Sequence, residues 1–347
     1  SGTPFTVTGT FTEGTSTITY TGSSATNVAG TTYYNLTLNH IGTTFTSAGN
    51  STVKGVFTIT AGTFDASDDT ITLDSTAATP LVINGTFTPS SSTLIYTGEG
   101  NKNITAATYN NLELRAIDTL QLVQDGWEAS GAGDSSFDGV YVEDSTFNGR
   151  TAYTNGSKYL YYSYSGNSEA YSWTMYASLT DLYDPAGNPN CYYDGLTLPG
   201  TWNPGHEMTD PPTVTAHYTY TGLAPTYTLA SGTINVNGNF VNGDGSHFMT
   251  TTADTNDPTF NIDGNFTNSA SATFTASASG SFSVGGDFTL NSTSKLTDSS
   301  GTLTLDGTGA QTITTNGTDG DHDFNNLTIT NGSASGVTFA DSVTVTG

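Results

Sequence analysis

A long segment of this chain recurs within it, and that repetition constrains the fold more than any other feature. The run from Gly9-Thr10-Phe11-Thr12 through Thr19-Tyr20-Thr21-Gly22 to Asn35-Leu36-Thr37-Leu38 returns further along as Gly85-Thr86-Phe87-Thr88 through Ile95-Tyr96-Thr97-Gly98 to Asn111-Leu112-Glu113-Leu114, every landmark displaced by the same interval. A third copy is recognisable in Gly301-Thr302-Leu303-Thr304-Leu305-Asp306-Gly307 followed by Asn325-Asn326-Leu327-Thr328-Ile329. Shorter echoes of Gly-x-Phe lie between them, at Gly55, Gly62, Gly238, Gly264, Gly280 and Gly286, often about two dozen residues apart. A sequence that repeats on this scale folds by stacking like units.

Each unit reads as a short strand. Val, Ile, Leu, Phe and Tyr alternate with Thr, Ser and Asn, the period of two that places one set inward and the other outward, and Thr-rich stretches favour pleated backbone. No segment carries a helical period. A glycine before each strand suits a coil in which every turn lays one strand about 4.8 Å above the last, so the expected class is all-β, with repetitive β-solenoid (parallel β-helix-like) flanks. About 22 residues per turn would give around 11 turns and a rod on the order of 50 Å. Tandem β-sandwich domains, each as long as one copy of the long repeat, are the alternative that the same alternation permits.

The texture changes between residues 124 and 215. This stretch holds all three tryptophans and eleven of the nineteen tyrosines. It reads as an inserted aromatic-rich β-module between an N-terminal repeat region, 1–123, and a C-terminal one, 216–347. Tyr159-Leu160-Tyr161-Tyr162-Ser163-Tyr164 and Tyr171-Ser172-Trp173-Thr174-Met175-Tyr176 predict a hairpin around Ser165–Ser168. The order Ser130-Gly131-Ala132-Gly133, Phe137-Asp138-Gly139-Val140-Tyr141, Phe147-Asn148-Gly149-Arg150, Tyr159-Leu160-Tyr161-Tyr162, Trp173, Tyr183 and Leu198-Pro199-Gly200-Thr201-Trp202 resembles a small β-module of bacterial, environmental and phage surface proteins. The flanks resemble large repetitive exported bacterial proteins. Neither resemblance implies a catalytic residue. The aromatic residues read first as a domain core, since Tyr and Trp bury a large ring and keep a polar tip satisfied. Tyr162, Tyr164, Trp173 and Trp202 are the candidates for a sugar-stacking face.

Thirty-one acidic residues against six Lys and Arg give a net charge of -25. That balance repels phosphate backbones and argues against nucleic acid as a partner. No apolar run approaches the roughly 20 residues of a membrane-spanning helix, so no membrane insertion is expected. Cys191 is the only cysteine, which leaves burial and β-ladders as the source of stability. Ten Asn-x-Ser/Thr sequons, at Asn35, Asn50, Asn84, Asn103, Asn155, Asn265, Asn291, Asn316, Asn326 and Asn331, are candidate glycosylation sites.

Catalytic constellations are missing from the sequence. His206-Glu207-Met208-Thr209-Asp210 lacks the second histidine of a zinc-protease helix. Lys54, Lys102, Arg115, Arg150, Lys158 and Lys295 are too dispersed to neutralise an acidic polysaccharide. No enzymatic activity is expected and no cofactor, with calcium the one candidate ion: Asp319, Asp321 and Asp323 alternate as hard oxygen donors, although Phe324 and Thr330 stand where a calcium loop needs glycine and glutamate. Asp65, Asp68 and Asp69 form a second acidic cluster.

Phe5-Thr6-Val7-Thr8-Gly9 and Val343-Thr344-Val345-Thr346-Gly347 share one pattern, and Phe5, Val7, Val343 and Val345 are the candidate assembly positions. Uncapped β-edges recruit further strands, so copies of the chain are expected to join head to tail. The expected role is a structural subunit of an extracellular or cell-surface filament or sheath. An adhesin stalk with a glycan-binding module is the alternative, and a polysaccharide-degrading β-helix enzyme the third.

Overall fold

The computed structural model describes residues 2–117, 121–130, 135–147, 150–165, 170–176, 191–193, 200–201, 203–204, 213–221, 224–297, 300–317 and 320–347. Two compact units emerge: one comprises residues 1–119 and 223–347, the other residues 120–222. Apart from a single 3-10 turn at Ser135–Phe137, every regular element described is a strand.

The first unit is a parallel β-solenoid of about ten turns. Ten strands form its longest sheet: Thr32–Tyr33, Ser51–Val53, Thr70–Asp74, Thr93–Thr97, Asn111–Leu114, Phe240–Asn242, Phe266–Asn268, Phe288–Leu290, Gln311–Thr314 and Val337–Phe339. All nine pairings are parallel. Nine steps of about 4.8 Å make this sheet roughly 43 Å long, a little shorter than the repeat spacing predicts. Coil length varies along the rod, because the step from Thr93 to its partner Asn111 takes much less chain than the step from Phe240 to its partner Phe266. Tandem sandwiches are therefore not what the repeats build.

Two further faces complete the coil. Near the N-terminus they share one six-stranded sheet, because Asn35–Ala48 and Phe57–Asp65 bend across both. At the bend of the second strand, Gly62 has φ +88° and lies against the carbonyls of His40 and Thr43, a place with no room for a side chain. Beyond residue 102 the faces separate into a five-stranded sheet, from Lys102–Ile104 to Lys295–Thr297, and a six-stranded sheet, from Thr108–Tyr109 to Asn326–Ile329. Leu112 pairs directly with Phe240, so the coil resumes across the insertion in register.

The copies of the long repeat do not stack on one another. In the first, Thr17–Tyr20 pairs with Asn35–Leu38 in the N-terminal sheet; in the second, Thr93–Tyr96 pairs with Asn111–Leu114 in the ten-stranded sheet. The third pairs Thr302–Leu305 with Asn326–Ile329 on the remaining face. What recurs is a local device. Tyr20 and Tyr33 touch hydroxyl to hydroxyl at 3.0 Å, and Tyr33 donates to the Ala29 carbonyl; Tyr96 and Tyr109 repeat the arrangement at 3.2 Å, with Tyr109 donating to the Thr105 carbonyl. Burial holds the Tyr109 hydroxyl far above its ordinary pKa, and the neighbouring Tyr96 adds to the effect.

The short Gly-x-Phe echoes do stack. Phe240, Phe266 and Phe288 lie one above another with ring centroids 5.6 and 4.7 Å apart, while Phe260 and Phe282 form a second stack at 5.6 Å. Each fully buried ring contributes about 1.5–3 kcal/mol. At the corner before them, the Gly264 amide donates to the Gly238 carbonyl (3.0 Å) and the Gly286 amide to the Gly264 carbonyl (2.8 Å). Side chains would collide there with the rung below. The residue before each inward Leu or Phe completes the corner: Asn111, Asn239, Asn265 and Asp287 each accept, through a side-chain oxygen, a backbone N–H of the next rung at 2.7–2.9 Å. This satisfies donors that a turn would otherwise leave to water.

The second unit is one antiparallel nine-stranded sheet. Its first and last strands in the chain begin before and end after the aromatic stretch, because Gln121–Ser130 pairs along its length with Thr213–Thr221. Tyr159–Ser165 and Ala170–Tyr176 form the expected hairpin, closing at the Ser165–Ala170 pair, with residues 166–169 outside the described ones. One sheet edge is Gly200–Thr201 and the other Asn203–Pro204. Ala129, Tyr141, Ala152 and Leu160 are buried within this unit.

Candidate functional site

In the inserted unit, the register sets Tyr162 opposite Trp173 and Tyr164 opposite Tyr171. Positions opposite one another, or two apart along a strand, belong to the same face of a sheet, so all four share one face. Trp202 and the segment His206–Asp210 lie outside the described residues, as does Asp319.

Of the candidate calcium positions and the second acidic cluster, the described residues have partners within the solenoid, with one exception. Asp321 Oδ2 lies 2.9 Å from Lys295 Nζ. Asp323 Oδ1 is shielded from solvent and accepts no hydrogen bond. Asp65 accepts from the Ser67 amide and the Ser90 hydroxyl, Asp68 from the Ser67 hydroxyl, and Asp69 from the Gly49 amide, so this second cluster closes turns between rungs. Among the described residues, no three His, Cys, Asp or Glu side chains gather as a metal site.

The cations are dispersed as well. Lys54 pairs with Glu13 at 2.8 Å and Arg115 pairs with Glu113. Lys102 is buried and donates to the carbonyls of Glu99 and Gly100. Burial lowers its pKa, against the opposing pull of Asp74 and Glu99.

The sequon asparagines divide by what their amide nitrogens do. Those of Asn35, Asn103, Asn155, Asn316, Asn326 and Asn331 donate to protein oxygens, so these side chains hold rungs or turns together. Asn50, Asn84, Asn265 and Asn291 are exposed. Sequence reading missed the corner ladder to which Asn265 belongs, although its signal was present in the residue between Gly and Phe.

At the rims of the solenoid, Gly2 bridges to Thr26 and Phe324 to Val345, and Phe5 and Val343 pack on the core. Val7 is partly covered. An open cleft of about 520 Å³ lies beside Phe5, Ile18 and Tyr20 at the first rung. At the opposite rim Ile329, Phe339 and Val345 are exposed by 49%, 43% and 49%, three of the few large apolar side chains in contact with solvent. The outer edges of Asn326–Ile329 and Val337–Phe339 pair with no described strand.

No family description, curated protein or solved structure matches the chain.

Proposed function

We propose that the protein is a structural subunit of an extracellular or cell-surface assembly, and that the rim carrying Ile329, Phe339 and Val345 receives the first rung of another copy. The observation that carries this reading is the combination, at one rim, of parallel edges that pair with no described strand and exposed apolar side chains. An unpaired edge is a template for a further strand, and apolar side chains beside it gain by being covered. The contact is head to tail and does not close, so it propagates as a fibre. Sedimentation of wild-type protein and of a Phe339→Lys, Ile329→Lys variant tests it: the wild type should grow with concentration and the variant should stay monomeric. Equal behaviour, with both proteins folded, would rule out this rim.

A second reading, a stalk that presents a glycan-binding module, is favoured by the aromatic positions Tyr162, Tyr164 and Trp173 on one face of the inserted sheet. Aromatic rings in such a row stack on sugar faces. Glycan arrays probed with the full chain and with Trp173→Ala separate the readings, since only the stalk loses binding in the variant.

A further inference from the structure

The five-stranded face of the solenoid carries a regular array of threonines. Thr226 pairs with Thr250 and Thr250 with Thr273; Thr228 pairs with Thr252, Thr252 with Thr275 and Thr275 with Thr297. These outward positions alternate with inward Tyr227, Thr251 and Phe274, so four successive rungs present two columns, with Lys295 in the one position that is not threonine. The register runs without a shift, and Phe274 on this sheet packs within a cluster of Phe240, Phe260, Phe266 and Phe282. Threonines on such a support are stiff, because β-branching restricts χ1.

Three features mark this array. First, none of its seven hydroxyls donates to or accepts from another described residue, whereas on the neighbouring face Asn235 accepts from Asn261 and Asn261 from Ser283. Second, in a chain with 31 acidic residues the two columns contain no carboxylate, and the ammonium of Lys295 at their end is drawn to Asp321. Third, on the ten-stranded sheet the runs Thr32, Thr52, Thr72 and Thr267, Thr289, Thr314 are separated by Ile95, Glu113 and Val241, while here two columns run side by side over three rungs.

We propose that this face binds ice. Its hydroxyls repeat about 4.8 Å apart between rungs and about 6.6 Å apart along each strand. Those two spacings approach the oxygen repeats on the prism face of hexagonal ice. Each threonine offers a hydroxyl that donates and accepts beside a methyl group that confines the adjoining water. A rigid grid of such groups, uncharged over its three threonine rungs, orders a layer of water in registry with the crystal and then freezes onto it. Soluble ligands do not need this repetition, and a charged surface would hold water in its own hydration shells.

Nanolitre osmometry on the full chain tests the proposal, with ice-crystal shaping and partition into slowly growing ice as further readouts. The wild type should shape ice and produce a gap between melting and growth temperatures. Thr252→Lys and Thr273→Lys, at the centre of the array, should lose most of that gap, while Thr289→Lys, outward on the ten-stranded sheet, should keep it; circular dichroism establishes that all three fold. Folded wild type that neither shapes nor enters ice overturns the proposal. So does an equal loss in all three variants, and so does adsorption to crystalline cellulose or chitin without any effect on ice.

Discussion

Removing one oxygen from the tyrosine pair of the second long repeat tests the reading of that repeat as a local device. The single proton of the Tyr109 hydroxyl goes to the Thr105 carbonyl at 2.5 Å, so Tyr96 must be the donor in the contact between the two hydroxyls. Tyr109→Phe therefore leaves the Thr105 carbonyl without its donor and takes one partner from the Tyr96 hydroxyl, which keeps its contact with Thr105, in a region where both tyrosine side chains are fully buried. Stranding a buried polar group costs about 1–3 kcal/mol. Tyr96→Phe removes only the donor and leaves Tyr109 bonded to Thr105, a loss of about 0.5–1.5 kcal/mol. The double variant should be less destabilised than the sum of the singles, because the contact between the two hydroxyls is lost only once. Stacked repeats can open locally, so the assay is hydrogen exchange at the amides of residues 94–97 and 112–114, supported by guanidinium unfolding. Tyr33→Phe should repeat the pattern at the first copy, where Tyr33 donates to Ala29 and meets Tyr20. A Tyr109→Phe variant no less stable than Tyr96→Phe would refute the assignment of donor and acceptor.

Three further outcomes are expected. Gly264→Ala should destabilise the C-terminal coil by about 1–3 kcal/mol, because the new methyl meets the Gly238 carbonyl; a melting temperature equal to wild type would refute this. Replacing residues 118–223 by a short Gly-Ser linker should leave the solenoid folded, since Leu112 pairs with Phe240 and Asn111 bonds the Asn239 amide independently of the insertion; loss of the β-sheet signal in circular dichroism would contradict it. Stability should fall in acid. Bonds from the Ser277 and Ser279 hydroxyls lower the pKa of Asp257, and although burial alone would raise that of Asp341, bonds from the Thr315 and Asn316 amides outweigh it. Both groups have folded values below the ordinary 3.8, so their contribution is present above pH 3.8 and is lost as pH falls through the folded values. Asp257→Asn should flatten part of that acid limb in thermal melts, and an unchanged pH profile would count against it.

Much of the solenoid was legible in the sequence because its rules are local. Alternation predicted which residues face inward, and Gly-x-Phe marked the corners, since only glycine lets successive backbones approach there. The face on which each strand would lie was not legible. The short coil from Thr93 to Asn111 and the longer one from Phe240 to Phe266 close equally well, so the long repeat preserves a tyrosine pair while moving it from one sheet to another. Asn265 read as a sequon and serves as a corner acceptor, because one side chain satisfies both patterns. The threonine array was invisible for a related reason: threonine is common throughout the chain, and only the register shows which residues align. Asp321 illustrates the limit of reading charge, since its partner Lys295 is distant in sequence and comes close only when one coil stacks on another.

Assembly through the rims is decided by negative-stain electron microscopy of the purified full chain over a range of concentrations. Fibres one solenoid wide should form, lengthen with concentration and vanish in the Phe339→Lys, Ile329→Lys variant. Isolated short rods at every concentration would contradict it.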